Sequence, residues 1–241
     1  MQIIPLYIEK EIEPFDDISE LISNSFEICD GDILVIAQKI VSKQEGRIVD
    51  LSTIAPSLLS EGIASQYQKD PRIIELILSE TKRIVRMKNG IIIVETNNGT
   101  ICANAGVDES NVKEGHATLL PINSDASAQT IRNKLQKQTN KNVAVIISDT
   151  FGRPFRMGQT NCAIGISGLN PILNYAGTLD SFQKILRITE IAVADELSSA
   201  AELVMKKALK CPVAIVRDYS FKIEDHVIDE LIRPENEDLF K

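Results

Sequence analysis

The sequence predicts a mixed α/β fold, with mixed sheets, flanking helices and two intimately packed lobes. Three observations carry that expectation. Short β-branched apolar runs at 33–37, 143–148 and 213–216 read as buried strands. Longer stretches at 16–26, 127–138 and 189–209 carry helical periodicity, and two Asn-Gly pairs mark tight turns between short strands.

Each element follows from its residues. In 16–26, Ile18, Leu21, Ile22 and Phe26 recur at helical spacing, and Gly31-Asp32 then turns the chain into the strand 33–37. A helix is expected from 71 to about 86, with Pro71 in its first turn and Ile73, Ile74, Ile77 and Leu78 on one face; Arg83 and Arg86 would be its C-terminal charges. Asn89-Gly90 and Asn98-Gly99 tolerate the positive φ of a tight hairpin turn, so 91–95 and Ile101-Cys102 are expected as strands. The helix 127–138 has Ser124 or Asp125 as its expected cap, and Asp149 stands at the end of the strand 143–148. Gly and Pro concentrate between 152 and 177, which reads as a loop-rich middle. The longest helical stretch, 189–209, has Ala192, Ala200, Ala201 and Leu203 for close packing. No repeat and no linker interrupts 1–241, which is expected to be a single unit.

Composition narrows the function. Among 241 residues, 26 Lys+Arg stand against 34 Asp+Glu, a formal charge of -8. A general polyanion binder needs a basic surface, so nucleic acid is not an expected partner, although a local basic pocket remains open. The start, MQIIPLYIEKEIEPFDD, lacks the plan of a signal peptide, and no apolar run approaches the roughly 20 residues of a membrane span. A cytoplasmic protein is expected. Cys29, Cys102, Cys162 and Cys211 are far apart and are expected as reduced thiols. With two histidines, His116 and His226, and no Cys-x-x-Cys, zinc and iron–sulfur sites are not expected.

Three clusters carry chemical potential. Asp149-Thr150-Phe151-Gly152-Arg153-Pro154-Phe155-Arg156 sets a carboxylate and a hydroxyl at a strand end, before a glycine-containing loop with two arginines. That set suits a hard cation with phosphate, or equally a capped turn with solvated arginines. Asn104-Ala105-Gly106-Val107-Asp108-Glu109-Ser110-Asn111 supplies oxygens from Asp108 and Asn111 on a small-residue loop, which is also what an Asx turn looks like. Lys39, Lys43 and Arg47 recur at helical spacing after Gln38, as one cationic face or as a solvated one. The common phosphate-loop and dinucleotide glycine motifs are absent.

Taken in order along nearly the whole chain, these segments resemble the γ-glutamyl ligases of coenzyme F420 biosynthesis. The likeness runs from IPL near the start through GDILVIAQKIVSKQEGR, SETKRIVR, NGTICANAGVDESNV, SDTFGRPFRMGQ, AIGISGLNPI and AVADELSSAAELVM to the closing RPENEDLF. ANAGVD-x-SN together with SDT-x-GRP-x-R is the most specific part. The chain departs from the pattern at Asn98, where histidine is common. Further departures are Gln183 and Lys184, where glycine and arginine are usual, and Asp218, in a glycine position. Lys206 follows Met205 where a glycine is common.

The resemblance implies a GTP- and divalent-metal-dependent amide ligase, adding L-glutamate to the terminal carboxylate of F420-0 (and F420-1) as an intertwined homodimer. Mg2+ or Mn2+ would be the metal, with K+ as a further cation. Asp108, Asp149 and Thr150 would be metal ligands, and Lys43 and Arg153 would act with Asp108 and Asp149 in catalysis. Ile4, Pro5, Leu6, Tyr7, Gln38, Lys39, Lys43 and Asn111 would line the nucleotide site. Met205, Lys206, Lys207, Ala208, Leu209, Lys210, Cys211 and Pro212 would close over it. Lys207 stands where some members place a metal-contacting glutamine. A ligase of the same kind acting on another acceptor such as a folate, or a non-catalytic nucleotide-binding homologue, are the alternatives.

Overall fold

A five-stranded mixed sheet forms the centre of the computed structural model, which describes residues 1–238; the last two letters of the RPENEDLF segment, Leu239 and Phe240, lie outside the described residues. Its strands are β1 (Gln2–Leu6), β2 (Ile33–Ala37), β8 (Ala144–Arg153), β9 (Arg156–Ser167) and β12 (Val213–Arg217), in the spatial order β1-β12-β2-β8-β9. Only β2 and β8 run parallel, with Ile33 beside Ala144 and Ala37 beside Ser148; the other neighbours are antiparallel.

Successive side chains of a strand face opposite sides, so a strand covered on both faces must be apolar throughout. β2 obeys this rule. Leu34 and Ile36 pack with Val145, Ile147 and Ile215 under α1 (Ile18–Ser25) and α5 (Ser124–Thr139), where Ile18, Ile22, Ile131 and Leu135 point inward. Ile33 and Val35 pack with Ile146, Ala214 and Val216 under Leu197, Ala201 and Met205 of α6 (Val193–Met205). Asp17 caps α1 through the Ser19 and Glu20 N–H groups, and α5 is capped by Asn123 rather than Ser124 or Asp125, its carboxamide oxygen accepting from Ala126 N at 2.9 Å. The last helix spans Val193–Met205, inside the expected 189–209.

A separate core holds the segment between. The three-stranded sheet β4 (Thr81–Lys88), β5 (Ile91–Thr96) and β6 (Ile101–Ala103) lies against α3 (Leu58–Tyr67) and α4 (Pro71–Ser79), burying Ile63, Ile74, Ile77, Ile92 and Val94. The expected helix 71–86 is therefore corrected at Ser79. Apolar helical spacing ends at Leu78; Thr81, Ile84 and Val85 are β-branched, and the Asn89-Gly90 turn folds them against β5. Asn89 at φ 52° and Gly90 at φ 74° have the backbone that hairpin needs. Arg83 is thus a strand residue paired to Glu95, not a helix-end charge, and Arg86 shares that strand.

Small ladders complete the set: β3 (Ile48–Asp50) with β7 (His116–Thr118), and β10 (Leu173–Asn174) with β11 (Glu190–Ile191). A seven-residue helix, α2 (Gln38–Gln44), follows β2 directly. The loop-rich middle is corrected as well. Its first half is the long β8–β9 hairpin, which Gly152 and Pro154 do not interrupt because they sit at its tip. The four cysteines are free thiols, and among the described residues no helix is long and apolar enough to cross a membrane.

Candidate active site

Where β2 ends and its parallel pairing with β8 stops, at Ala37 beside Ser148, the chain opens a cavity of about 900 Å³. Such strand ends are the usual place for a ligand in open α/β sheets. Gln38, Lys39 and Lys43 reach it from α2, Asp149 and Thr150 from β8, and Asp108 and Asn111 from the loop before β7. Met205, Lys206, Lys207, Ala208, Lys210, Cys211 and Pro212 close another side, between α6 and β12. Six lysines and five acidic residues line this wall, a formal excess of one positive charge in a chain of net charge -8, with Lys39, Lys43, Lys207 and Lys210 each paired to one of those acids.

The two aspartates differ in their surroundings. Lys39 Nζ donates to Asp108 Oδ2 at 2.5 Å and to Ser110 Oγ and the Ser110 carbonyl at 2.6 and 3.0 Å. Burial pushes the Asp108 carboxyl up, but Lys39 and the Ser110 N–H and hydroxyl together outweigh it and hold the group below its ordinary value. Asp149 is partly buried and lines the cavity. Burial pushes its carboxyl up; the Thr150 N–H, Lys207 and Lys39 pull it back, and Asp108 adds repulsion, leaving it raised. Two carboxylates of this kind, one short of countercharge, invite a cation.

The donor set fits a hard divalent ion. Asp108, Asp149, Thr150, Asn161 and Glu202 offer oxygen only, as Mg2+ and Mn2+ prefer. Among the described residues no three or more His, Cys, Asp and Glu side chains gather as a metal cage, so substrate oxygens and water would have to complete the shell, which is the habit of Mg2+. The neighbouring thiols are unsuited to nucleophilic work: burial, then Asp149, pushes Cys102 up to about 12, and burial, then Asp195, pushes Cys162 up to about 11.

The lysines on α2 are not a solvated face. Lys43, only 6% exposed, pairs with Glu11 and donates to the Asn111 carbonyl at 2.7 Å. Arg47 turns away, to Glu80 and the Leu120 carbonyl. Lys207 Nζ meets Thr150 Oγ1 at 2.5 Å, with Glu202 Oε2 at 3.2 Å and Asn161 Oδ1 at 3.4 Å. Six expected residues sit off the cavity wall. Arg153 is on the exposed hairpin tip, donating to the Met157 carbonyl at 2.9 Å, and is not part of the cavity wall. Ile4, Pro5 and Leu6 belong to β1, and Tyr7 follows it; residues 8–12, just beyond, are the ones that line the cavity. Leu209 also lies off the wall, between Ala208 and Lys210, which are on it.

Several wall residues are not expected as site residues from the sequence: Glu11 and Asn161, outside the quoted motifs, and Ser110, Ser148, Gln159 and Glu202, which lie inside them without a role of their own. Asn161 is found only by folding the hairpin, since it is the register partner of Thr150 and accepts its hydroxyl at 2.7 Å. A register shift between Ile147 and Ser148 marks where β8 leaves the core and its side chains become available to the cavity. The three departures from the expected glycines share one property. Gln183, Lys206 and Asp218 all hold positive φ, at 62°, 53° and 59°, so the backbone keeps the glycine conformation without the glycine.

An α/β protein with a cavity beside its parallel strand pair, lined by carboxylates and lysines, has the layout of an enzyme that binds charged small-molecule substrates. Comparison with known proteins makes this specific. The chain matches the family described as F420-0:Gamma-glutamyl ligase over residues 8–218. It is 45% identical to the coenzyme F420:L-glutamate ligase of Methanothermobacter thermautotrophicus over 234 residues, covering 94% of this chain and 93% of that one. Identity to the ligase of that name from Methanocaldococcus jannaschii is 44% (93% and 90% covered), and to that from Methanopyrus kandleri 41% (100% and 98%). The chain belongs to the F420-0:gamma-glutamyl ligase family and is an enzyme of the ligase class.

Proposed function

We propose that this enzyme joins L-glutamate to the terminal carboxylate of coenzyme F420-0, and of F420-1, by a γ-linked amide, using GTP and Mg2+ or Mn2+. The observation that carries the reading is the cavity in which Asp108 and Asp149 lie beside Lys39, Lys43 and Lys207. The relatives named for this reaction support the acceptor.

A carboxylate is a poor electrophile, so the acceptor oxygen first attacks the γ-phosphorus of GTP. The P–O bond to GDP breaks and an acyl phosphate forms. The glutamate amine then attacks the acyl carbon, the C–O bond to phosphate breaks, and the amine proton is lost to solvent. A divalent cation held by Asp108 and Asp149 would supply charge neutralisation for the phosphates. Lys43, released from Glu11, binds the transferring phosphoryl oxygens; Arg153, off the wall on the hairpin tip, would serve as a second cation only by releasing the Met157 carbonyl and swinging in past Gly152. Lys39 orients Asp108 through the same contact that keeps it ionised. The segment 205–212 excludes water over the nucleotide.

The protein would act in the cytoplasm as a homodimer. Exposed apolar side chains on the hairpin tip and on the 173–191 arm support a second copy of the chain there: Phe155, Met157, Phe182 and Ile188 are each more than four-fifths exposed. Incubation with GTP, Mg2+, glutamate and either F420-0 or a folate, followed by mass measurement, tests the function. Gain of one glutamate on F420-0 with release of phosphate is expected. Glutamate on the folate alone would replace the acceptor, and bound GTP without phosphate release with either acceptor would overturn the ligase mechanism.

A further inference from the structure

Lys207 sits in a site built to hold a positive charge. Thr150 on β8 and Asn161 on β9 are register partners, Glu202 projects from α6, and the ammonium of Lys207 reaches an oxygen of each. The cage is fixed before the lysine enters it. Asn161 is 3% exposed; its Oδ1 accepts the Thr150 hydroxyl at 2.7 Å, and its Nδ2 donates to Glu202 Oε2 at 3.3 Å. The Ser199 hydroxyl anchors the Asn161 backbone at 2.7 Å. With its proton committed to Asn161, the Thr150 hydroxyl can only accept, and it accepts from Lys207. A carboxylate, a carboxamide oxygen and an acceptor hydroxyl are also the donors a small metal ion would choose.

We propose that Lys207 is the resident cation of this cage, a tethered ammonium standing where phosphoryl-transfer sites commonly place a second metal ion. The chain then takes a single divalent ion, at Asp108 and Asp149, while Thr150 serves the lysine and not the metal. Two-metal sites clamp a reacting phosphate from both sides. Here one half of that clamp is a side chain, one residue past the C-terminal end of α6 and its capping residue Lys206. The nearby Asp149 feels the same ammonium, so the fixed charge also serves the carboxylate that binds the ion.

The counting of cations is independent of the acceptor, though the purpose of the tethered charge rests on the phosphoryl-transfer reading. Mn2+ is titrated into the purified protein in the absence of substrates, and free ion is followed by its paramagnetic resonance signal. Lys207→Gln removes the ammonium and adds an oxygen; the side chain is largely exposed, and folding is checked by circular dichroism. Wild type is expected to take up about one equivalent and Lys207→Gln about two, while Lys207→Arg stays at about one. Asp149→Asn in the Lys207→Gln background should lose one of the two, which separates the sites. Uptake of two equivalents by wild type, or an unchanged count in Lys207→Gln, overturns the proposal. If wild type takes none and Lys207→Gln takes one, the tethered ammonium stands and the Asp108–Asp149 metal site falls.

Discussion

Lys206 carries a conformational cost that one substitution should return. It ends α6 at φ 53° and ψ -179°, a region that only glycine enters freely. A side chain held there costs about 1–3 kcal/mol. Lys206→Gly removes that strain and keeps the N–H bond to the Glu202 carbonyl at 3.0 Å. Against the gain stands the larger entropy of glycine in the unfolded chain, about 0.5–1 kcal/mol. The net expectation is a stabilisation of about 1 kcal/mol, read as a rise in urea midpoint at constant slope. Asp218→Gly is the control. Aspartate tolerates a left-handed backbone better than lysine, and its carboxylate accepts from Gln2 Nε2 at 3.1 Å, so little or no gain is expected there. A Lys206→Gly protein less stable than wild type would refute the strain, and equal gains at both positions would refute its dependence on residue type.

Four further outcomes follow. The Ser148 and Thr96 hydroxyls are buried with no hydrogen-bond partner among the described residues, so Ser148→Ala and Thr96→Val should each hold or gain stability, by up to about 1–3 kcal/mol in chemical unfolding; a clear loss in either would reveal a missed partner. Asp149→Asn should lower ligase turnover at limiting Mg2+ by at least ~100-fold, the scale of removing one preorganised charge-stabilising group, and near wild-type rates would sink the metal assignment. Burial raises the Asp195 carboxyl above its ordinary 3.8, so the folded chain binds that proton more tightly than the unfolded one; stability from this group is present at low pH and is lost as pH rises from about 3.8 through the raised value. Asp195→Asn, whose oxygen can still accept from Ala163 N, should flatten that part of the stability–pH curve. In Gly165→Ala, the added carbon would fall within 2.4–2.6 Å of Ser124, backbone included, at the start of α5; a loss of about 3 kcal/mol is expected by thermal unfolding, and a neutral result would contradict the packing.

Local signals proved readable where the cause is local. The Asn89-Gly90 turn, the Pro71 helix start and the β-branched runs of β2 and β12 each announce themselves, because a few adjacent residues decide backbone conformation. The segment 81–88 misled because helical spacing upstream bled into it, whereas pairing with β5 set its state. Asp108 and Asp149 were visible as carboxylates on promising loops, yet nothing in their neighbourhoods said that they face one cavity.

The sequence by itself determined the kinds of chemistry available: hard oxygen donors, lysines without a glycine phosphate loop, thiols without histidine partners in sequence, and a family resemblance running nearly end to end. Tertiary structure alone decided which charges meet. Lys39 finds Asp108 across 69 positions, and Lys207 finds Thr150 across 57. Charge interactions depend on distance and burial in space, and neither is encoded by proximity along the chain. The same reason explains why a chain of net charge -8 can keep a cavity wall with a formal excess of one positive charge: the sum belongs to the composition, but the field belongs to the fold.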